Sequence, residues 1–397
     1  MEQMISVERA KWLIDEHVSA MTPKLISLKH ASGLRLAEDV FSSHDIPAYP
    51  QSSMDGYAFA FQDGINNYIL DGEMAAGSTR SFTLQQGCAV RIFTGAAVPP
   101  GADTVVMQEK TALQDGKLVF DDAKLKKGDN VRTEGSEIEK NTLALPSGTI
   151  LTPALVGFLA GMGIAEVLAY TRPTIGIIIT GNELQQPGLE LAYGQVFDSN
   201  SFALQAALNQ LQIDNISIAY APDNKAVLQE TLKRMLQDTD MILVTGGVSV
   251  GDYDFTMDAF EHCGVQKIFH KVKQKPGKPL LFGIHGTKPV FGLPGNPASV
   301  LSCFYQYVFP AIGKLMNKPC LLEAKKATLK AGFQKPVGLT QFLKAYFDGV
   351  EVELLTGQES YKLSSFSKAN CLALIPENIG SLMQGAEITI HLLPQTI

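Results

Sequence analysis

The chain has 397 residues, 45% hydrophobic and 18% charged, with 33 Lys and Arg against 40 Asp and Glu, for a formal charge of −7. That length predicts roughly two to four domains, and the acidic balance excludes a wide nucleic-acid-binding surface while leaving room for a local basic pocket. Five scattered cysteines (Cys88, Cys263, Cys303, Cys320, Cys371) without CxxC spacing exclude a disulfide framework or zinc knuckle. They predict a reducing compartment, and with no signal-like or bilayer-length apolar segment a cytoplasmic protein is expected.

Residues 6–20 read as a short amphipathic helix, with Ser6 as N-cap and Val7, Ala10, Ile14 and Val18 at helical spacing. From 46 to 140 short apolar segments are broken by Gly, Pro and Asp, which predicts a β-rich domain. Residues 1–45 and 141–172 flank it as a discontinuous linker region. Within the second part, Thr152 before Pro153 marks a helix start, and Gly161 or Gly163 its stop. A new regime opens at Pro173, where apolar runs such as Ile175-Gly-Ile-Ile-Ile-Thr180 alternate with helical periodicity as far as Phe304. Residues 173–321 are therefore expected to form a three-layer α/β domain with a mostly parallel sheet. From 322 to 397 the texture is strand-like again, and a small β-barrel or sandwich is expected.

In such α/β domains ligands bind at the C-terminal ends of strands. Met241-Ile-Leu-Val-Thr-Gly-Gly-Val-Ser-Val-Gly-Asp-Tyr-Asp254 is a buried-type strand emptying into glycines and acids. Gly246 and Gly247, with Ser249, would let backbone N–H groups approach an anion, and Asp254 could hold a divalent cation. Thr180-Gly-Asn-Glu183 sits at a second strand end, where a carboxylate is better placed for a ligand than for packing. Asp198 and Asp223 each have an equally good explanation as helix caps. Lys271, Lys273, Lys275 and Lys278 cluster around Pro276-Gly277 and Pro279. Such a run is ordinarily a solvated face, but the fixed bend could aim Lys275 and Lys278 into a cleft. Leu293-Pro-Gly-Asn-Pro-Ala-Ser299 reads as a rigid strand-to-helix turn whose N–H groups, near Pro294, Asn296 and Pro297, offer another anion site. In the β-rich region, Pro47-Ala-Tyr-Pro-Gln-Ser-Ser-Met-Asp-Gly-Tyr-Ala58 presents Asp55, and the loop after Ile92 presents Thr94. Asp55-Gly56 also fits a plain turn. No nucleotide P-loop, Gly-x-Ser-x-Gly elbow or metal-spaced His pair occurs. Acids, lysines and rigid loops suit metal-assisted cleavage of a phosphoryl or nucleotidyl bond.

Together these segments, with Gly357-Gln-Glu-Ser-Tyr-Lys-Leu-Ser-Ser-Phe in the tail, resemble the molybdopterin molybdenumtransferases, whose eukaryotic relative is the gephyrin E domain. The order is collinear over nearly the whole chain. The resemblance implies an elongated homodimer whose cleft lies between the α/β domain of one subunit and the β-rich domain of the other. It implies insertion of molybdate into adenylylated molybdopterin, release of AMP, help from Mg2+, and an upstream adenylyltransferase as a candidate partner. It puts Asp55, Thr94, Glu183, Asp223 and Asp254 on catalytic positions, with Asp55, Glu183 and Asp254 toward the metal. Thr180, Gly246, Gly247, Ser249, Lys271, Lys275, Lys278, Pro294, Asn296 and Pro297 fall on substrate- and anion-binding ones. Gly135-Ser136-Glu137 departs from the family's Gly-Glu-Asp, and Lys344 stands where the family pattern has arginine. Two competing readings are a non-catalytic pterin-binding scaffold and a nucleotide-sugar or nicotinamide-nucleotide hydrolase on a similar domain. Intact Asp55, Glu183 and Asp254 speak against the first, and the Met-Asp-Gly-Tyr loop against the second.

Overall fold

The computed structural model describes residues 4–79, 82–247 and 255–394, so Ser249 and Asp254 of the expected site lie outside the described residues. The chain divides into two units, Met1–Lys24 with Tyr170–Ile397, and Leu25–Ala169.

The first unit is organised around the strand Ile175–Thr180, which is buried at every position. Its alternate residues feed two separate cores, as the strand period requires. Ile175, Ile177 and Ile179 pack with Leu204 and Leu208 of the helix Asn200–Gln210, and with Val300 and Ile312 from two later helices. Ile178 faces the other way, against Leu228, Leu232 and Leu236 of the helix Lys225–Asp238 and Ala259 of the helix Phe255–His262. Helices on both faces of one sheet give the expected three layers. The sheet has six strands, in the order Ile216–Ala221, Ile175–Thr180, Met241–Thr245, Lys288–Leu293, Leu281–His285 and Gln266–His270. The first four run parallel, and the Leu281–His285 strand is antiparallel to both its neighbours. Ile179 pairs with Thr245, and Thr245 with Leu293, so three strand-end loops open along one edge.

The first helix, Val7–His17, starts as its sequence predicts, with Ser6 Oγ accepting the Arg9 N–H at 3.1 Å. Its place differs from the expected linker region. Val7, Ala10, Ile14 and Val18 belong to the α/β core, and Ile5 is bonded through its backbone to both Lys271 and Lys273. Periodicity shows which face of a helix is apolar but not which surface covers it.

The C-terminal region is a closed five-stranded barrel. Ala324–Leu329 lies between Glu387–Leu392 and Glu351–Leu354, and Thr340–Phe347 pairs with both Glu351–Leu354 and Cys371–Ile375, closing the ring. A short strand, Gln274–Lys275, adds to Thr340–Phe347 in parallel.

In the second unit, six strands form the sheet of the β-rich region, with Gly56–Phe59 between Thr104–Met107 and Cys88–Ile92. Gly56 is fixed by this pairing rather than by a turn: a Cβ there would stand 1.9 Å from the Val106 carbonyl oxygen. Residues 25–45 and 141–169 share a separate core containing Leu28, Leu36, Leu151, Leu159 and Val167. The helix Pro153–Gly161 begins at Thr152, whose hydroxyl accepts the Leu155 N–H at 3.3 Å.

Candidate functional site

The strand-end glycines have a steric explanation. Gly246 has φ +87°, and a Cβ would lie 2.6 Å from Thr180 Oγ1 and 2.7 Å from its carbonyl oxygen. Gly247 would meet Thr256 Oγ1 at 2.6 Å. Thr180 is buried, and its hydroxyl donates to the Thr245 carbonyl at 3.0 Å. These three residues nest two loops against each other. On the next strand end, Asp223 does not cap the following helix. Asn224 does, accepting the N–H groups of Ala226 and Val227. Asp223 instead accepts the Asn182 N–H at 3.3 Å, and the Asn182 side chain accepts the Asp223 N–H at 3.1 Å. The reciprocal pair holds the loop that carries Glu183, which is exposed. Asp198 does take the capping role: it is buried and accepts from the N–H groups of Asn200 and Ser201, the Ser201 hydroxyl and, at 3.0 Å, the Tyr220 hydroxyl.

A cavity of about 680 Å³ lies where the α/β strand ends meet the barrel. Glu183, Lys275, Lys278, Pro294, Asn296 and Pro297 from the sequence reading line it, together with Phe197, Ser199, Asn200, Gln274, Gln358 and Ser360. Thr180, Gly246, Gly247, Asp223 and Lys271 are not among its lining residues. Lys271, at φ +72°, spends its backbone on Ile5 and Leu280 instead. The Lys275–Lys278 loop is closed by a hydrogen bond from Val272 N–H to the Lys278 carbonyl at 2.9 Å. Both lysine side chains are exposed, so two full positive charges border the cavity beside one carboxylate.

The turn after Leu293 behaves differently from its sequence reading. The Ala298 N–H donates to the Ser360 carbonyl at 3.0 Å, and the Ser299 and Val300 N–H groups both donate to the Asn296 carbonyl. Those donors are committed within the chain rather than offered to an anion. The Asn296 amide in turn donates to Ser360 Oγ at 2.9 Å, tying the tail segment to the cavity wall. Gln274 escaped the sequence reading because a polar residue between lysines looks ordinary. Ser360 and Gln358 sat within the tail match but carried no charge to draw attention.

In the second unit Asp55 is exposed, and Oδ1 accepts both the Thr94 N–H at 2.7 Å and the Thr94 hydroxyl at 2.8 Å. These two bonds, with a smaller contribution from nearby Arg91, hold the carboxyl below its usual range. Asp55 is thus a fixed carboxylate. Among the described residues no three His, Cys, Asp or Glu side chains gather as a metal site.

The sequence pattern of the MoeA N-terminal region (domain I and II) matches residues 5–163, that of a probable molybdopterin binding domain residues 176–314, and that of the MoeA C-terminal region (domain IV) residues 326–393. A molybdopterin molybdenumtransferase of Haemophilus influenzae is 34% identical over 402 residues, covering 98% of each chain. This chain belongs to the molybdopterin molybdenumtransferase family. Another molybdenumtransferase, from Nostoc, is 38% identical over 408 residues, covering 96% of this chain and 91% of its own. The crystal structure of a molybdopterin biosynthesis MoeA protein from Pyrococcus horikosii superposes with a TM-score of 0.81 at 29% identity, covering 98% of this chain and 99% of that one. Membership places the chain among the transferases of molybdenum cofactor biosynthesis and favours catalysis over a bare scaffold.

Proposed function

We propose that this molybdenumtransferase inserts molybdate into adenylylated molybdopterin and releases AMP. The observation that carries this reading is the cavity bordered by Lys275, Lys278 and Glu183. Molybdate is a tetrahedral dianion and the phosphoanhydride is polyanionic, so two ammonium groups at one wall neutralise charge on the oxyanions they meet. Phe197 and Leu184 on another part of the wall suit the flat face of a pterin. Glu183, held by the Asn182–Asp223 pair, offers an oxygen donor of the kind magnesium prefers. In this reading Glu183 and Asp254, with Asp55 from a second copy, would hold Mg2+, which on binding would stabilise charge on the cleaved phosphate.

A homodimer is part of the proposal. The helix Pro153–Gly161 carries no charged residue, yet only Leu159 in it is buried, which suits burial against a second copy. All five cysteines are free thiols, in keeping with a reducing compartment such as the cytoplasm, where an adenylyltransferase would deliver the substrate. Among the described residues no helix is long and apolar enough to cross a membrane.

Incubating the purified protein with adenylylated molybdopterin, Mg2+ and molybdate should yield AMP and molybdenum cofactor together. Binding of the adenylylated pterin without AMP release would instead favour the non-catalytic scaffold.

A further inference from the structure

Beneath the cavity wall lies a buried polar chain that the proposed chemistry does not use directly. Gln274 is 1% exposed. Its Nε2 donates to the Gly277 carbonyl at 2.8 Å and contacts Cys303 Sγ at 3.5 Å, while its Oε1 accepts the hydroxyl of Tyr307. The orientation of the amide is dictated by its partners. A backbone carbonyl can only accept, so the amino group must face Gly277, and the oxygen is left for the one hydroxyl donor. Tyr307 is itself 1% exposed and sits in a single π-helical turn, Phe304–Val308, an insertion that re-aims side chains within a helix.

The loop is built around this amide. Gly277 has φ +82°, and a Cβ there would stand 2.4 Å from Cys303 Sγ and 3.0 Å from Gln274 Nε2. Only glycine lets the Lys275–Lys278 backbone settle that closely on the buried pair. Outside, Gln274 and Lys275 pair with Thr340 and Gln341 of the barrel. One side of the loop is therefore held by the barrel ladder, and the Gly277–Lys278 side by the Gln274 amide, a weak thiol donor from Cys303 at 3.8 Å and the Val272–Lys278 bond.

We infer that Gln274, oriented by Tyr307, is a positioning residue that sets the Lys275-Pro276-Gly277-Lys278 loop so that both ammonium groups border the cavity. The inference rests on the lysine clamp proposed above and assigns its geometry to a side chain that is 1% exposed and acts through the loop backbone. Without the amide the Gly277 carbonyl keeps only the weak Cys303 thiol donor at 3.8 Å in a dry interior, so the loop shifts toward water rather than stay under-satisfied. A misplaced clamp weakens oxyanion binding more than it slows a bound complex.

The test uses the full-length protein with four variants. Gln274→Met keeps the side chain's length and burial, Tyr307→Phe removes only the hydroxyl, and Lys275→Ala and Lys278→Ala each remove one clamp charge. AMP release is followed against molybdate concentration, with thermal midpoints recorded in parallel. Gln274→Met is expected to raise the molybdate half-saturation about tenfold while changing the maximal rate less than about twofold. Tyr307→Phe should shift it in the same direction by a smaller factor. Adding Lys278→Ala to Gln274→Met should cost less than Lys278→Ala costs alone, because both act through one contact. If Lys278→Ala raises the half-saturation and Gln274→Met leaves it unchanged, Gln274 is mere packing and the inference fails while the clamp stands. If Lys275→Ala and Lys278→Ala both leave it unchanged, the clamp fails and takes this inference with it.

Discussion

At the scale of single residues, charge was legible in the sequence and backbone fit was not. Lys275 and Lys278 stood out because two prolines and a glycine around them predicted a fixed bend, and both border the cavity. If they clamp an oxyanion, each loss removes a charge-assisted contact worth roughly 1.5–3 kcal/mol. The Lys275→Ala, Lys278→Ala double variant should then lose molybdate affinity at least about tenfold with its thermal midpoint little changed. An unmoved half-saturation concentration would return both lysines to the solvated surface. The glycines after Thr245 looked equally functional, yet Gly246 and Gly247 answer to the close approach of Thr180 and Thr256, which no one-dimensional pattern reports. Asp55 gives a sharper check. Its carboxyl is held low chiefly by the Thr94 N–H, then by the Thr94 hydroxyl. Thr94→Val deletes the hydroxyl alone, so the Asp55 pKa should rise part of the way toward its ordinary value in a carboxyl-carbon NMR titration. The acid limb of the activity profile should move to higher pH with it. A titration curve identical to wild type would remove the Thr94 hydroxyl from that role and leave it to the N–H alone.

Elements were read well where their pattern has one physical solution. A continuous apolar run such as Ile175–Thr180 is expected to be covered on both faces, and the three layers followed. The alternating strands after residue 322 left barrel and sandwich open, since closure depends on Thr340–Phe347 finding Cys371–Ile375. The first helix joined a different core from the one expected, because its stripe does not name its partner. Lys344 belongs to this scale. It is 2% exposed inside the barrel wall, its burial lowers the ammonium pKa, and Nζ donates to the carbonyls of Gly357 at 2.7 Å, Lys362 at 3.1 Å and Glu359 at 3.4 Å. One buried cation thereby organises the tail segment whose Gln358 and Ser360 line the cavity. Lys344→Met keeps the volume but strands those carbonyls, and should destabilise the protein by about 2–3 kcal/mol in urea titrations. Lys344→Arg supplies the same charge and should recover most of that loss. Equal damage from both variants would mean that the exact shape of the ammonium, not its charge, holds the segment.

Across the larger unit, the amino-terminal helix and the last barrel strand meet at a buried polar junction that no local pattern announced. Lys11 Nζ donates to Gln306 Oε1 at 2.9 Å, and His391 Nδ1 lies 3.0 Å from the same oxygen. Lys11 also lies 5.7 Å from the Phe342 ring centre, and Phe342 packs against His391 at 6.5 Å. Burial lowers Lys11 to about 8, with Glu8 opposing. Burial also lowers His391 to about 4, helped by the Lys11 charge. For both bases the unfolded chain holds its proton over a pH range where the folded chain has released it. Stability from His391 should therefore rise with pH between about 4 and the ordinary histidine value of 6.5, and from Lys11 between about 8 and 10.5. Each slope is at most ~1.4 kcal/mol per pH unit, the limit for a single proton. The difference between wild type and Lys11→Met isolates the junction from other titrating groups. That variant should flatten the alkaline rise in urea midpoint. By removing the neighbouring charge, it should also raise the lower edge of the His391 window and leave its upper edge in place, so the acid rise starts at higher pH and is smaller. Parallel midpoint curves for the two proteins across both windows would show that Lys11 keeps its proton throughout, and that the junction is electrostatically silent.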